Sequence, residues 1–437
     1  MIARIAAALT ALTLALPAAA QIEIEDVTSP GGIDAWLVED PSIPFVALEF
    51  WFPGGTVLDP ADKRGATYLM TGLLEEGAAE MDAQAFAAEV EGLAAGFQFD
   101  AYRDAVVVSA RMLTQNRDAA AALLGAALTE PRFDPAAIER VRGQVVSIIE
   151  GGAREPGEIA NATVSARADG DHPYASAQEG TLDSVGALTR DDLRDAHRAA
   201  LTRDRVVVGA AGDITPDALG RLIDDILGDL PAEAPPRPGP AEFALSGGTT
   251  VIDFPSPQSV AFFGQRGIER DDPDFFPAFV LNQILGGRGF RSRLMEEVRV
   301  ERGLTYGIGT YLSLADLSPA LLGQFSSSND LVGEAVSVVR DQWADIAETG
   351  VTQDELDAAI RYMTGEYPLR FDGNARIAGI LAAMQADDMP AEYIENRNDH
   401  VRAVTLEEVN RVAEELLRPE DLHFVVVGQP EGLSPGN

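Results

Sequence analysis

The chain repeats itself, and that repetition limits the folds open to it more than any other feature. Leu188–Asp213 reads LTRDDLRDAHRAALTRDRVVVGAAGD, a capped helix, a loop and then a buried strand. Val404–Gln429 reads VTLEEVNRVAEELLRPEDLHFVVVGQ, the same succession in different residues. Thr189 and Thr405 take the N-cap positions 216 residues apart, and Val206 and Val425 open the two valine runs 219 apart. Phe133–Val145 aligns in the same way with Val351–Met363, and the early strand Phe45–Phe52 with Val260–Gln265. An offset kept at three separate places marks a duplication. Between the copies lies PAEAPPRPGP, Pro231–Pro240, which should be extended and poorly packed. The chain therefore divides at a linker, 231–244, into a first domain, 21–230, and a second, 245–437. Strands mix with helices but include long hairpin-like pairs, which favours an α+β fold over a doubly wound parallel sheet.

Composition narrows the function classes. Residues 1–20 read as an export signal: Arg4 gives a positive start, Ile5–Leu16 an apolar run, and Pro17-Ala18-Ala19-Ala20 a small-residue cleavage site before Gln21. That run is too short to span a bilayer, and no second run of about 18 apolar residues follows. The mature protein is expected in a bacterial periplasm or outside the cell, with no membrane span. The net charge is −37, from 33 basic and 70 acidic residues, and Lys63 is the single lysine. Such a balance repels nucleic acid and anionic membrane surfaces. No cysteine is present, so there are no disulfides and no thiolate metal ligands.

The segment Leu285–Leu312, LGGRGFRSRLMEEVRVERGLTYGIGTYL, carries the recognisable chemistry. Gly286, Gly287 and Gly289 form a loop open to backbone conformations closed to other residues. From Ser292 the pattern turns helical, with Leu294 and Val298 four apart and Gly303 as a stop. Beyond it Leu304, Tyr306, Ile308, Thr310 and Leu312 are expected on one face of a strand. The run Ser292-Arg293-Leu294, Val298-Arg299 and Gly303-Leu304-Thr305-Tyr306 resembles the C-terminal half of the pitrilysin/insulinase/mitochondrial-processing-peptidase family, the inverted-motif zinc peptidases. Asp171-His172-Pro173-Tyr174 with Gly180-Thr181 is similar to another phrase of that family. The resemblance implies two domains, each an antiparallel sheet backed by helices, that together form half of a clam-shell chamber. It also implies that an Arg and a Tyr seven residues apart, here Arg299 and Tyr306, grip a peptide substrate.

Active members of that family carry H-x-x-E-H on a helix of the first domain, two histidines for zinc and a Glu as general base. The matching frame is Gly54–Gly77, GGTVLDPADKRGATYLMTGLLEEG. Its three functional positions hold Tyr68, Thr71 and Gly72. Glu75 and Glu76 are adjacent and point to different helix faces, so they cannot replace a His pair. Glu150, 78 residues beyond Gly72, stands about where a distal Glu ligand belongs, but a lone carboxylate holds zinc poorly. His172, His197, His400 and His423 have no second ligand at metal-binding spacing. There is no Cys nucleophile, no G-x-S-x-G elbow and no P-loop.

Three readings follow. The first is an exported, catalytically silent subunit that binds peptide and completes the chamber of a zinc-bearing family member in a heterodimer, with no cofactor of its own. The second is a peptidase with a non-standard site, and the third a stand-alone peptide-binding or structural protein. Under the first, an extended peptide could add to a sheet edge near Gly96–Tyr102.

Overall fold

The computed structural model describes residues 23–289 and 291–433. The export signal read at residues 1–20 lies outside them. In the first half β1 (Glu25–Thr28), β2 (Asp34–Glu39) and β3 (Phe45–Pro53) precede a short ribbon, β4 (Gly77–Ala78) and β5 (Met81–Asp82). A hairpin, β6 (Gly96–Ala101) and β7 (Ala105–Leu113), and a late strand, β8 (Val207–Gly212), complete it. The sheet order is β1-β2-β8-β3-β7-β6. The second half supplies β9 (Gly248–Asp253), β10 (Gln258–Arg266), β11 (Ile308–Ser313), β12 (Ala320–Ser328) and β13 (His423–Gly428), in the order β11-β12-β10-β13-β9.

The duplication is thus written into the topology. Counted inward from the β6 edge of one sheet and the β11 edge of the other, β6-β7-β3-β8-β2 corresponds to β11-β12-β10-β13-β9. In both sheets one pair is parallel, β2 with β8 and β9 with β13, and the other pairs are antiparallel. The valine runs aligned in the sequence are β8 and β13, and both lie inside their sheets. The two N-caps are in place as well: Thr189 and Thr405 close capping boxes with Asp192 and Glu408.

Strand β3 shows how the core is made. Val46, Leu48, Phe50 and Phe52, spaced by two, are at most 1% exposed and face the first half's own helices. Phe263, Phe325, Trp343 and Phe424 do the same in the second half, with Phe263 stacked on Phe424 at 5.2 Å.

The other face of each sheet is covered by a helix from the opposite half, which the sequence pattern did not reveal. Helix Asn374–Ala386 lies across β2, β3 and β8, and helix Pro156–Asp169 lies across β10 and β13. Ala378 packs on Ala47 and Ala211, while Ala160, Val164 and Ala168 pack on Val425 and Val427. Burial on both faces explains why β8 and β13 are unbroken apolar runs with no alternation.

The stretch Pro231–Pro240 has neither helix nor strand, as its prolines require, but it is not loosely packed as expected. Arg237 bridges Asp104 of the first half and Asp316 of the second. Gly239 O meets His172 Nε2 at 3.0 Å, and the N–H of Ala241 donates to Leu317 O at 2.8 Å. Free main-chain groups, left without a ladder by the prolines, are satisfied by both halves at once. Among the described residues no helix is long and apolar enough to cross a membrane.

Candidate functional site

The frame that would carry the zinc motif folds as a short helix, Ala66–Thr71. Asp59 holds its entry: its carboxylate accepts from Gly65 N at 3.0 Å, Thr67 N at 3.1 Å and Thr67 Oγ1 at 2.6 Å. Burial pushes the Asp59 carboxyl up to about 6, against those bonds and the nearby Arg64 charge. Gly65 is needed there, with φ at 88° and the Glu179 carbonyl where a Cβ would go.

The donors this helix offers do not suit zinc. Burial, then the charges of Glu179 and Asp100, push the Tyr68 hydroxyl up, so it stays protonated. Thr71 spends its hydroxyl on Tyr68 O at 2.9 Å. Gly72 has no side chain, and a Cβ added there would lie 3.0 Å from Val141 Cγ1. Glu76 is paired with Arg140, and Glu150 is exposed. Among the described residues no group of three or more His, Cys, Asp or Glu side chains could hold a metal ion. Zinc therefore does not fit this chain at the position where the resemblance would put it.

The histidines are occupied by packing. His197 Nε2 meets Leu128 O at 2.8 Å in the core, and His423 Nδ1 meets Ser246 O at 2.7 Å. His400 stacks on Phe276 at 4.9 Å. His172 accepts from the N–H of Tyr174, capping the turn before Pro173, and clasps the linker through its other nitrogen.

In the second half the glycine loop follows the helix Phe275–Gly286. A Cβ at Gly286 would lie 2.5 Å from Thr310 Oγ1 and 2.8 Å from Thr310 N, so only glycine lets this helix end pass over β11. Gly289 has φ at 115°, which favours glycine for a different reason. The helix after the loop is not an ordinary α-helix over Met295–Val300 but a π-helical turn, with Glu301 N donating to Glu296 O at 2.9 Å. Leu294 and Val298 are still buried, as their spacing demands. Short π segments of this kind concentrate at functional sites.

Tyr306 departs from the expected strand face. The strand starts at Ile308, and Tyr306 stands in the turn before it, 87% exposed, between buried Leu304 and Ile308. The cause is Thr305, whose Oγ1 lies 2.7 Å from Ser326 O and accepts from Gly307 N at 3.2 Å. That clasp folds 305–307 into a turn and rotates Tyr306 outward, breaking the alternation.

The result is a cleft of about 720 Å³ whose walls include Gly286, Gly287, Gly289, Met295, Tyr306 and Tyr311. Arg299 does not line it directly. It sits half-buried behind Met295, with Nη1 4.0 Å from Met295 Sδ. Met295 escaped the sequence reading, although its place four residues before Arg299 on one helix face was a usable signal. The cleft runs along β11, the outer strand of its sheet, and β6, which contains the edge read at Gly96–Tyr102, holds the matching position in the first sheet.

Comparison with known proteins agrees with this arrangement. Residues 35–181 match the family model described as insulinase (peptidase family M16), and residues 187–363 match that of the peptidase M16 inactive domain. The chain belongs to peptidase family M16. It is an inactive-type member, with Tyr68, Thr71 and Gly72 at the H-x-x-E-H positions. A solved structure described as a peptidase M16 inactive domain from Pseudomonas fluorescens is 30% identical, with a TM-score of 0.88 over 95% of this chain and all of that one. A Helicobacter pylori relative named non-peptidase homolog YmxG is 24% identical over 89% of this chain and 90% of its own. A Streptomyces coelicolor relative named uncharacterized zinc protease is 26% identical over 89% and 88%.

Proposed function

We propose that this M16 protein is an exported, catalytically silent subunit that binds an extended peptide and completes the chamber of a zinc-bearing family member. The observation that carries the reading is a contrast within one chain. The catalytic helix offers Tyr68, Thr71 and Gly72, which cannot bind zinc, while the second half keeps an open cleft walled by Gly286, Gly287, Gly289 and Tyr306.

Strand β11 offers main-chain donors and acceptors at its outer edge, and a peptide added there gains a ladder of hydrogen bonds. Tyr306 would lie against that peptide, which explains an aromatic side chain left 87% exposed. Arg299, reaching round Met295, would take a peptide carbonyl. The hydrolytic chemistry and its zinc belong to the partner. The signal at residues 1–20 would deliver the protein to the periplasm or outside the cell.

The test is to purify the mature chain alone and with an H-x-x-E-H family member from the same source, measuring zinc content and peptide cleavage. The expected result is zinc and cleavage only with the partner, and weaker cleavage by the pair when this chain carries Arg299→Ala or Tyr306→Phe. Stoichiometric zinc with proteolysis by the isolated chain would overturn the proposal.

A further inference from the structure

A second cavity, of about 560 Å³, lies on the other side of the glycine loop from the peptide cleft. Ile284, Ala358, Ala359 and Tyr362 give it an apolar floor, and Arg288 and Arg291 stand on its rim.

The internal duplication explains why the cavity exists. Phe133–Val145 and Val351–Met363 align residue for residue, which sets Arg140 against Ala358 and Val141 against Ala359. In the first half Arg140 pairs with Glu76, and Val141 fills the space beside Gly72. In the second half two alanines stand at those positions, and the space is open.

Several of its polar groups are unspent. Arg293, between the two rim arginines and the helix Gln353–Glu366, is bound to Glu355 at 2.6 Å and Asp345 at 2.9 Å. Arg288 and Arg291 have no carboxylate partner among the described residues, in a chain with 70 acidic side chains. Ser292 also lines the cavity, is 3% exposed, and its Oγ has no hydrogen-bond partner among the described residues. A buried hydroxyl left this way is an unmet demand for a ligand or a bond. On the opposite wall Glu355 is neutralised by Arg293 and caps its helix through Thr352, which leaves Asp354.

We infer that this cavity binds the free C-terminus of a peptide ending in an apolar residue. The side chain lies on Ala358, Ala359 and Tyr362, and the α-carboxylate lies between Arg288 and Arg291. Asp354 accepts an N–H of the incoming main chain and weighs against dianions such as phosphate. A peptide is favoured over other apolar carboxylates because Arg288 and Gly289 line both this cavity and the peptide cleft. This binding needs no partner subunit, so it stands or falls apart from the function proposed above.

The test uses the purified mature chain and fluorescence polarisation with labelled heptapeptides ending in Leu. The free acid should bind at least about 10-fold more tightly than the C-terminal amide, and dodecanoate should compete weakly. Ala358→Leu, at the half-buried position, and Ala359→Val, at a core position, both refill the space and should each weaken binding at least about 10-fold, with at most a modest drop in melting temperature for Ala359→Val. Arg291→Gln, an exposed change that leaves the core untouched, should erase most of the acid-over-amide preference. Equal binding of acid and amide, stronger binding of dodecanoate than of the peptide, or no binding at all would overturn the inference.

Discussion

Gly209→Ala should unfasten the two halves of the molecule. Gly209 sits in β8 with ordinary strand dihedrals, so alanine costs nothing in backbone conformation. The obstacle is the crossing helix. A Cβ at Gly209 would lie 2.0 Å from Ala378 O and 2.7 Å from Ala382 N, both main-chain atoms that cannot rotate aside. The helix must lift from the sheet, and Leu381 and Ala382, both 0% exposed, lift with it.

Overpacking of this kind costs about 1–3 kcal/mol, and a rigid backbone obstacle belongs at the upper end. The bond from Gln385 Nε2 to Val208 O, 2.9 Å, stretches as well and adds about 1 kcal/mol. Removing a glycine from the unfolded chain returns about 0.4–1 kcal/mol. The net expectation is a loss of about 3 kcal/mol, a large share of the stability of an ordinary domain. Urea denaturation measures the loss, and hydrogen exchange over Asn374–Ala386 shows where it occurs. Gly143→Ala is the control, because nothing lies within 4 Å of its Cβ position and it should be neutral or slightly stabilising. If Gly209→Ala matches that control and exchange in the helix is unchanged, the crossing helix does not brace the sheet as argued.

Asp59 gives a pH signature. Its folded carboxyl, raised to about 6 from an ordinary 3.8, binds a proton more readily than the unfolded one. Its contribution therefore makes stability fall as pH rises from about 4 to about 6 and stay flat above that, by about 3 kcal/mol in all. Urea midpoints at pH 4.5 and 7.5 should show this slope in the native chain and its loss in Asp59→Asn; equal slopes would refute it. Restoring the motif letters should not restore the zinc site. In the triple variant Tyr68→His/Thr71→Glu/Gly72→His, the side chain introduced at position 72 places its Cβ 3.0 Å from Val141 Cγ1, and overpacking there costs about 1–3 kcal/mol. Substoichiometric zinc by mass spectrometry is expected, and one zinc per chain would show that the helix had kept a usable geometry.

Local pattern made much of this molecule legible, and long-range packing hid the rest. The valine runs and the Thr189 and Thr405 caps were readable because caps and buried strands are decided within a few residues. So was the loss of the zinc ligands, a matter of residue identity at Tyr68, Thr71 and Gly72. The outward turn of Tyr306 was not readable, because it depends on Thr305 reaching Ser326 on a neighbouring strand. The packing of the linker was hidden for a related reason, since Asp104 and Asp316, which hold Arg237, are remote from it in sequence. The exchange of helices was hidden too, because Pro156–Asp169 and Asn374–Ala386 each look like helices belonging to their own half.

That exchange bears on how a chamber could open and close. If the halves were joined only by the proline linker, each could swing on it. Instead each sheet is covered by a helix of the other half, and Ala160, Ala378, Leu381 and Ala382 are at most 1% exposed at those contacts. Swinging the halves apart would bare both helix faces and strand the Gln385 bond, at a cost of several kcal/mol for every opening. A cost of that size leaves the separated form a minor population at equilibrium. The halves are therefore held together in most molecules at any moment. In the heterodimer proposed above, the chamber would then open and close mainly between this chain and its partner, with the crossed helices bracing this chain's half.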